Sequence, residues 1–537
     1  MSCERIKRKS SSRRWLSVVA LVALFAVATT AQAAEFAGAE KINPLVEAAA
    51  TVAPDQQVSL IVTYAAPAPP GTRVWELATM GGRSIEPLSS VNSYSFKMSS
   101  SQALALANDP TVEWVTVDAP VRPALDIAHE TIGSTGLPSN LSALAGRGVT
   151  VAVLDSGVAS HPDLAGSVIA SVDMLHGGKH QDGDPYGHGT HIAGIVSGDG
   201  ASSDGLYKGV ASEASIVSVR VLDEFGAGTT SGVIAGIEWV LAHRNEYDIR
   251  VLNLSLGRPI YDPADRDPLV RAVENAWDAG LVVVCSAGNW GQSGYFTVTS
   301  PGNSRKVITV GSRTDWNTVV VGDDIVSTYS SHGPTYLDHV LKPDMIAPGN
   351  RIISLRSPGS SMDEAFPEWR VGSAYFEMSG TSMAAPVVAA TAALMLEKDP
   401  TLNNATIKAR LMLSADKSID ESPFKRGAGS LDLPAVLERQ GHADTALSPY
   451  VYRAPKCCNV FVQEMGLQWG DAALWGDAAL WGDAALWGDA ALWGDAALWG
   501  DAALWGDAAL WGDAALWGDA ALWGDAALWG DTIPQPD

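Results

Sequence analysis

Between residues 125 and 440 the chain alternates two kinds of segment. Short, almost unbroken apolar runs ("GVTVAVLDSG", "SIVSVRVLD", "IRVLNLSLG", "LVVVCSAGN" and "KVITVGS") are separated by longer stretches of helical character ("SGVIAGIEWVLAHR", "DPLVRAVENAWDAG" and the apolar segment after Ser382). A strand with one wet face alternates apolar and polar residues. These runs do not, so both of their faces must be covered. The pattern predicts an α/β fold built on a parallel sheet with helices on both faces and right-handed crossovers. In such a sheet ligands gather at the carboxyl ends of the strands, so chemistry is to be sought there.

Three segment ends carry reactive side chains. "VAVLDSGV" puts Asp155 where a strand runs into a turn. "YGHGTHIAGIV" puts His188 between glycines at the start of an apolar helix, and "MSGTSMAAPVVAATAALML" puts Ser382 at the start of another. Each has a plain structural reading: Asp155 as a turn residue, His188 as a cap, and Thr381 and Ser382 as N-caps with Pro386 in the first helical turn. Together they supply the orienting acid, the base and the nucleophile of acyl transfer. Ser382 is not in a G-x-S-x-G elbow, because position 384 is Ala. A fourth group, Asn289 in "VVVCSAGNWG", follows a buried strand among small residues. Its amide is able to donate to an oxyanion beside the backbone N–H of Ser382, or merely to favour a turn after Gly288.

The blocks "VAVLDSGV", "GHGTHIAG", "SLG", "SAGN" and "GTSMAAP", in that order over residues 146–439, resemble the subtilisin family of serine endopeptidases. The resemblance implies that Asp155, His188 and Ser382 form a catalytic triad and that Asn289 joins the oxyanion hole. It implies that Ser255, Leu256 and Gly257 pair with one edge of an extended substrate, and Gly226, Ala227 and Gly228 with the other. Leu256 and Ser300-Pro301-Gly302 would shape the pocket before the cut, and no acidic group clearly sits there, which points to a broad, apolar preference. The chemistry needs no cofactor. Structural calcium, which many members bind, is possible, with Asp182, Asp184 and Asp199 as acidic loop candidates but no readable ligand set. The chain departs from the family at Gly209-Val210-Ala211-Ser212, where a Pro is common in the last position. Cys285 reads as a small packed residue and His191 as a packed helix residue.

The flanks add a life history. Arg5, Lys7, Arg8, Lys9, Arg13 and Arg14 precede an apolar run from Trp15 to Ala28 and the small-x-small site Ala31-Gln32-Ala33, so residues 1–33 read as a secretory signal, with Sec and twin-arginine export both open. Only four cysteines occur, Cys3, Cys285, Cys457 and Cys458, so this is no disulfide scaffold despite export. The formal charge of −24 argues against nucleic acid or an anionic membrane as main partner. Residues 34–124, ending in "DPTVEWVTVDAPVRP", resemble the family's inhibitory propeptide, which implies a ferredoxin-like α+β unit whose tail lies in the cleft, cut somewhere around 118–125. The peptidase domain is expected over 125–440 and a linker over 441–468. From Trp469 the hexapeptide "WGDAAL" repeats ten times to end near residue 531. This tail is either β-structured, with Trp, Asp and the second Ala on one face of a strand, or disordered. The expected partners are protein or peptide substrates and the chain's own propeptide. The rival reading is an inactive relative that binds or adheres through its tail.

Overall fold

A computed structural model describes residues 41–453, apart from 44–45, 47–48, 52, 70, 119, 124–140, 142, 181–182, 316–323 and 420, and beyond 453 the strand segments 460–463 and those between 479 and 534. The expected signal segment 1–33 lies outside the described residues, as do Asp182, Cys457 and Cys458. The chain divides into two compact units, one up to Ala119 and one from Pro120.

The first unit runs β1 (Gln57–Tyr64), α1 (Thr72–Thr79), β2 (Arg83–Leu88), β3 (Ser93–Ser99), α2 (Ser100–Ala107) and β4 (Val112–Val117). Its antiparallel sheet has the order β2-β3-β1-β4, which is a ferredoxin-like arrangement. Leu60, Val62, Phe96, Met98 and Val115 on the strands pack against Leu77, Ala103 and Leu106 of the helices. In the sequence α1 and β2 are obscured by Pro69, Pro70, Gly71, Gly81, Gly82 and Pro87, which make this stretch rich in turn signals.

The second unit holds the parallel sheet. Its strands are β6 (Thr150–Asp155), β7 (Val168–Asp173), β8 (Ser215–Arg220), β10 (Ile249–Leu254), β12 (Val282–Ser286), β13 (Ile308–Thr314), β14 (Ile325–Val326) and β15 (Met345–Pro348). The order is β14-β13-β12-β10-β6-β8-β7, with β15 also on β13. All neighbours are parallel except β14, which is antiparallel to β13. Every residue of β6 and β12 is buried, as unbroken apolar strands require. Helix α3 (His188–Ser197) follows β7, and α4 (Thr230–His243) and α5 (Pro268–Asp278) link β8 to β10 and β10 to β12. The long α6 (Thr381–Lys398) is buried from Thr381 to Leu396 and packs on β10, β12, β13 and α3. A helix apolar all round can only be a core helix. Three short strands, β5 (Pro120–Pro123), β9 (Gly228–Thr229) and β11 (Leu256–Gly257), form a separate sheet in the order β11-β5-β9.

Residues 441–453, which read as linker in the sequence, are fastened to this unit. Ser448 accepts from Arg305 Nε at 2.6 Å through its carbonyl, and Leu341 and Val451 donate backbone hydrogen bonds to Pro449 and His339. In the repeat region the strands are short, and each pairs in parallel with the strand 18 residues later. Examples are Leu486 with Leu504 and Leu510 with Leu528. Three repeats therefore make one rung of three strands, stacked into three sheets.

Candidate active site

Asp155 closes the central strand β6, and α3 begins at His188. The two meet because α3 is pressed against the strand end: a Cβ on Gly189 would lie 2.2 Å from the Gly157 carbonyl oxygen and 3.1 Å from the Asp155 Cβ. Only glycine lets the helix come this close. His188 Nδ1 lies 2.8 and 2.9 Å from the two Asp155 carboxylate oxygens, and both side chains are fully buried. A ring nitrogen that donates to a carboxylate leaves the other nitrogen of a neutral imidazole as an acceptor. Nε2 is buried and makes no hydrogen bond among the described residues.

The helix that carries His188 is held by Asp184, whose type and loop position suggest calcium binding in the sequence. Gly187 is the N-cap and has no side chain. Asp184 does the capping: its carboxylate accepts from Gly187 N–H at 2.7 Å, from Thr190 N–H and Oγ1 at 2.7 Å each, and from Ser156 Oγ at 2.8 Å. Burial pushes the Asp184 carboxyl above its ordinary value, while these donors pull the other way. With its oxygens so engaged, Asp184 is not available as a metal ligand. Asp199 turns back on its own loop, accepting from Ala201 N–H. Among the described residues no group of three or more His, Cys, Asp or Glu is placed to hold a metal. The signal for the capping role of Asp184 is an acid four residues ahead of a helix start.

Ser382 is the second residue of α6, one past the first helical residue, and the N-cap is Gly380. The Ser382 hydroxyl therefore does no capping. It donates to the Ser255 carbonyl at 3.0 Å. The position of Pro386 also differs from the sequence expectation: it is the sixth helical residue, in the second turn. Its missing N–H is the one that would bond the Ser382 carbonyl. Ser255 Oγ fills that gap, donating to the Ser382 carbonyl at 2.7 Å, and Asn253 Nδ2 in turn donates to Ser255 Oγ at 3.0 Å. A proline and a serine 131 positions apart thus fix the start of α6 jointly.

Asn289 sits against the same helix start. Its Oδ1 accepts from both Thr381 N–H and Thr381 Oγ1 at 3.0 Å. The amide orientation follows, since a backbone N–H needs an acceptor. Asn289 Nδ2 is buried and unpaired among the described residues. Two buried polar atoms without partners, His188 Nε2 and Asn289 Nδ2, thus belong to residues packed at the amino ends of α3 and α6.

The segments expected to flank a substrate form the edges of the small sheet. Leu256 and Gly257 are β11, and Gly228 opens β9. Gly226 and Ala227 lie in the turn before β9, pinned by Asp223, whose carboxylate accepts from Phe225 and Ala227 N–H at 2.9 Å. Gly226 has φ +68°, and a Cβ there would lie 2.5 Å from the Tyr186 ring, which neighbours the His188 ring at 6.3 Å. Ser255 is a positioning group for α6 as well as a neighbour of β11. Near Ser300-Pro301-Gly302 the buried Asp267 is engaged by Arg258 at 2.8 Å and by Ser300 Oγ at 2.7 Å. Cys285 is fully buried and its thiol is pushed up to about 12 by burial, so it is a packed residue. His191 Nε2 lies 3.1 Å from the Ile352 and Phe376 carbonyls inside the core.

Residues 146–442 match the profile of the Subtilase family. The chain is 45% identical over 332 residues to Serine protease AprX of Bacillus subtilis (strain 168), covering 61% of this chain and 74% of that one. It is 32% identical over 374 residues to Subtilisin E of the same organism, covering 67% and 85%. Its fold resembles the crystal structure of fervidolysin from Fervidobacterium pennivorans, a keratinolytic enzyme related to subtilisin, with a TM-score of 0.58 at 23% identity over 72% of this chain and 62% of that one. The chain belongs to the subtilase family, and it is a subtilisin-like serine endopeptidase.

Proposed function

We propose that this endopeptidase is secreted, is made as a zymogen that cuts itself, and works through Ser382 as nucleophile, His188 as base, Asp155 as orienting acid and Asn289 as oxyanion donor. The observation that carries the assignment is the pairing of His188 Nδ1 with the buried Asp155 carboxylate, with Nε2 buried and without a hydrogen-bond partner among the described residues. Ser382 Oγ attacks the substrate carbonyl as Nε2 takes its proton. The imidazolium formed is stabilised by Asp155 and gives the proton to the leaving amine. Negative charge develops on the carbonyl oxygen at the amino end of α6, where Asn289 Nδ2 and the helix dipole stabilise it. Water repeats the sequence on the acyl-enzyme. An extended peptide adds as a strand between β11 and β9, which gives main-chain affinity with little demand on side chains. The unit up to Ala119 serves as inhibitor and folding aid, and residues 1–33 direct export. No helix among the described residues is long and apolar enough to cross a membrane.

A fluorophosphonate probe is expected to label the mature protein at Ser382, and Ser382→Ala is expected to fold, to resist the probe and to keep the N-terminal unit attached. Labelling elsewhere, or normal maturation of purified Ser382→Ala, defeats the assignment.

A further inference from the structure

The hairpin that leads into Ser382 carries a lobe that takes no part in the proposed chemistry. Strand β16 (Ile352–Leu355) runs out to it, β17 (Arg370–Val371) edges it, and β18 (Tyr375–Met378) runs back, antiparallel to both, toward Gly380 and α6. The body of the hairpin lies on α3. Ser354 Oγ donates to the His191 carbonyl at 2.8 Å, and a Cβ on Gly194 would lie 2.3 Å from that hydroxyl. Between the strands stands a short helix, Ser361–Ala365, with Ser360 as its N-cap. Asp363 in this helix is 3% exposed, and its carboxylate gathers the lobe. Arg356 donates to both carboxylate oxygens, from Nε and Nη2. Arg370 Nε donates at 2.7 Å and Gly359 N–H at 2.9 Å, and Arg370 Nη2 reaches the Asp363 carbonyl at 2.7 Å. The Arg356 hydrogen bonds, with those from Gly359 and Arg370, outweigh burial and hold the Asp363 carboxyl well below the usual carboxylate range. Two guanidinium groups on one buried carboxylate, one of them bidentate, fix the lobe's shape.

The tip of the lobe rests on the four residues before His188. Ser357 Oγ donates to the Asp184 carbonyl at 2.8 Å, Ser361 N–H to that of Pro185 at 2.9 Å and Met362 N–H to that of Tyr186 at 3.1 Å. Gly187 is packed so closely that a Cβ there would lie 2.5 Å from Ser360 Oγ. The start of α3 has a fastening of its own in the Asp184 side chain. The tip reaches further, through Tyr186. The Tyr186 ring is buried, and its far end closes on Gly226: a Cβ on Gly226 would lie 2.5 Å from the ring carbon that bears the hydroxyl. Gly226 stands in the turn that opens β9. A line of contacts thus runs from Asp363 through its neighbour Met362 and the Tyr186 ring to the β9 edge. We propose that the Arg356–Asp363–Arg370 clamp is a positioning device for the β9 edge, acting through Tyr186, and that it sets how well the enzyme holds substrates long enough to pair with that edge. The proposal rests on the reading of β9 as a substrate edge and goes further by naming what holds the edge in place. With the clamp loosened, Tyr186 retreats from Gly226, the turn shifts, and an extended peptide loses main-chain pairing there. A substrate too short to reach β9 keeps its turnover, because Asp184 holds the start of α3 separately.

The test uses the purified enzyme and two thiobenzyl esters that end in the same leucine, one an acetyl-tetrapeptide and one acetyl-leucine alone. Asp363→Asn keeps the shape of the side chain and removes its charge. It is expected to raise KM for the tetrapeptide about fivefold and to change kcat/KM for the short ester less than about twofold. Arg370→Gln leaves the Arg356 pair in place and is expected to act in the same direction more weakly, so the test stands even where Asp363→Asn fails to fold. In a Tyr186→Ala background Asp363→Asn is expected to alter the tetrapeptide KM less than about twofold, since its route to β9 has gone. Equal losses on both esters would assign the clamp to His188 rather than to the edge, and an unchanged KM in both variants, or a full effect without Tyr186, would equally overturn the proposal. A wild-type enzyme that gains nothing in kcat/KM from the tetrapeptide over the short ester would instead remove β9 as a substrate edge, and the proposal with it.

Discussion

At the scale of single residues the proposed site holds two buried polar atoms that have no partner among the described residues, His188 Nε2 and Asn289 Nδ2. Asn289 has one end of its amide committed to Thr381 and the other without a partner among the described residues, so its replacement removes the Nδ2 donor together with the acceptor of Thr381 N–H and Oγ1. Asn289→Ala is expected to lower kcat by roughly 10²–10³ with little change in KM, the magnitude that removal of an oxyanion-hole amide produces in a subtilisin. Steady-state kinetics on a small peptide substrate check this, and an unchanged kcat would remove Asn289 from the oxyanion site. The residues proposed as reactive are all legible in the sequence. Asp155, His188, Asn289 and Ser382 stand in short local blocks at segment ends, and the structure puts Asp155 with His188, and Asn289 beside Ser382 at the start of α6. The sequence says less about what their neighbours do. Asp184, an acidic loop residue that suggests calcium, is bound up in holding the helix of His188.

At the scale of elements the start of α6 is a joint construction. Pro386 withdraws the N–H that would satisfy the Ser382 carbonyl, and Ser255 supplies a hydroxyl in its place. Ser255→Ala leaves that buried carbonyl without a donor, a cost of about 1–3 kcal/mol. The expected results are a lower melting temperature and a kcat reduced about tenfold with KM nearly unchanged. Adding Pro386→Ala, which restores the helical N–H, is expected to recover much of both losses, so the two substitutions should be strongly non-additive. Additive losses in the double-mutant cycle would show that the two groups do not share the Ser382 carbonyl. For α3, Asp184→Asn replaces an acceptor-only group with one that has an NH₂ facing donors. It is expected to disturb His188 and reduce kcat/KM, with loss of thermal stability in the same variant.

At the scale of the whole molecule the boundary of the catalytic unit matters most. Asp344 lies between two fully buried lysines, 2.6 Å from Lys342 Nζ and 3.2 Å from Lys408 Nζ, and accepts from Ser448 Oγ at 2.6 Å. Lys408 also donates to the carbonyls of Arg305, Lys306 and Val307 at 3.0–3.2 Å and to Ser448 Oγ at 3.0 Å. Ser448 is thus the C-terminal closure of a buried charge cluster. Ending the chain after Gln440 strips that closure, and losing a hydroxyl bonded to a buried charge costs about 1.5–3 kcal/mol, on the order of 5 °C in Tm for a unit of this size. Ending it after Lys456 keeps the closure and is expected to leave both Tm and hydrolysis of a small peptide nearly unchanged. Calorimetry and kcat/KM on the two truncations separate these outcomes, and equal stability would mean that residues 441–453 contribute nothing. The cluster also predicts a pH dependence. Burial pulls Lys408 down to about 7, from an ordinary 10.5. Between those values the unfolded chain holds a proton that the folded chain lacks, so stability rises with pH in that window, by up to about 1.4 kcal/mol per unit. Below pH 7 both states hold it and the dependence vanishes. Lys408→Met is expected to flatten the rise of Tm between pH 7.5 and 9.5, and an unaltered slope would assign it to other groups.

The sequence by itself determined the class of sheet and singled out the residues proposed as catalytic, because both are written locally: burial on two faces abolishes strand alternation, and the proposed nucleophile, base and acid each sit in a short local block. It could not show which distant groups complete them. The register of Pro120–Pro123 between β11 and β9, the bond from Ser255 to the Ser382 carbonyl and the closure of Asp344 by Ser448 are all contacts between residues far apart in the chain, set only when the sheet and its helices pack. The repeat tail is the plainest instance. Its period of six is visible to the eye, yet the pairing partner lies 18 residues away, a choice among identical repeats that only the stacking of the strands makes.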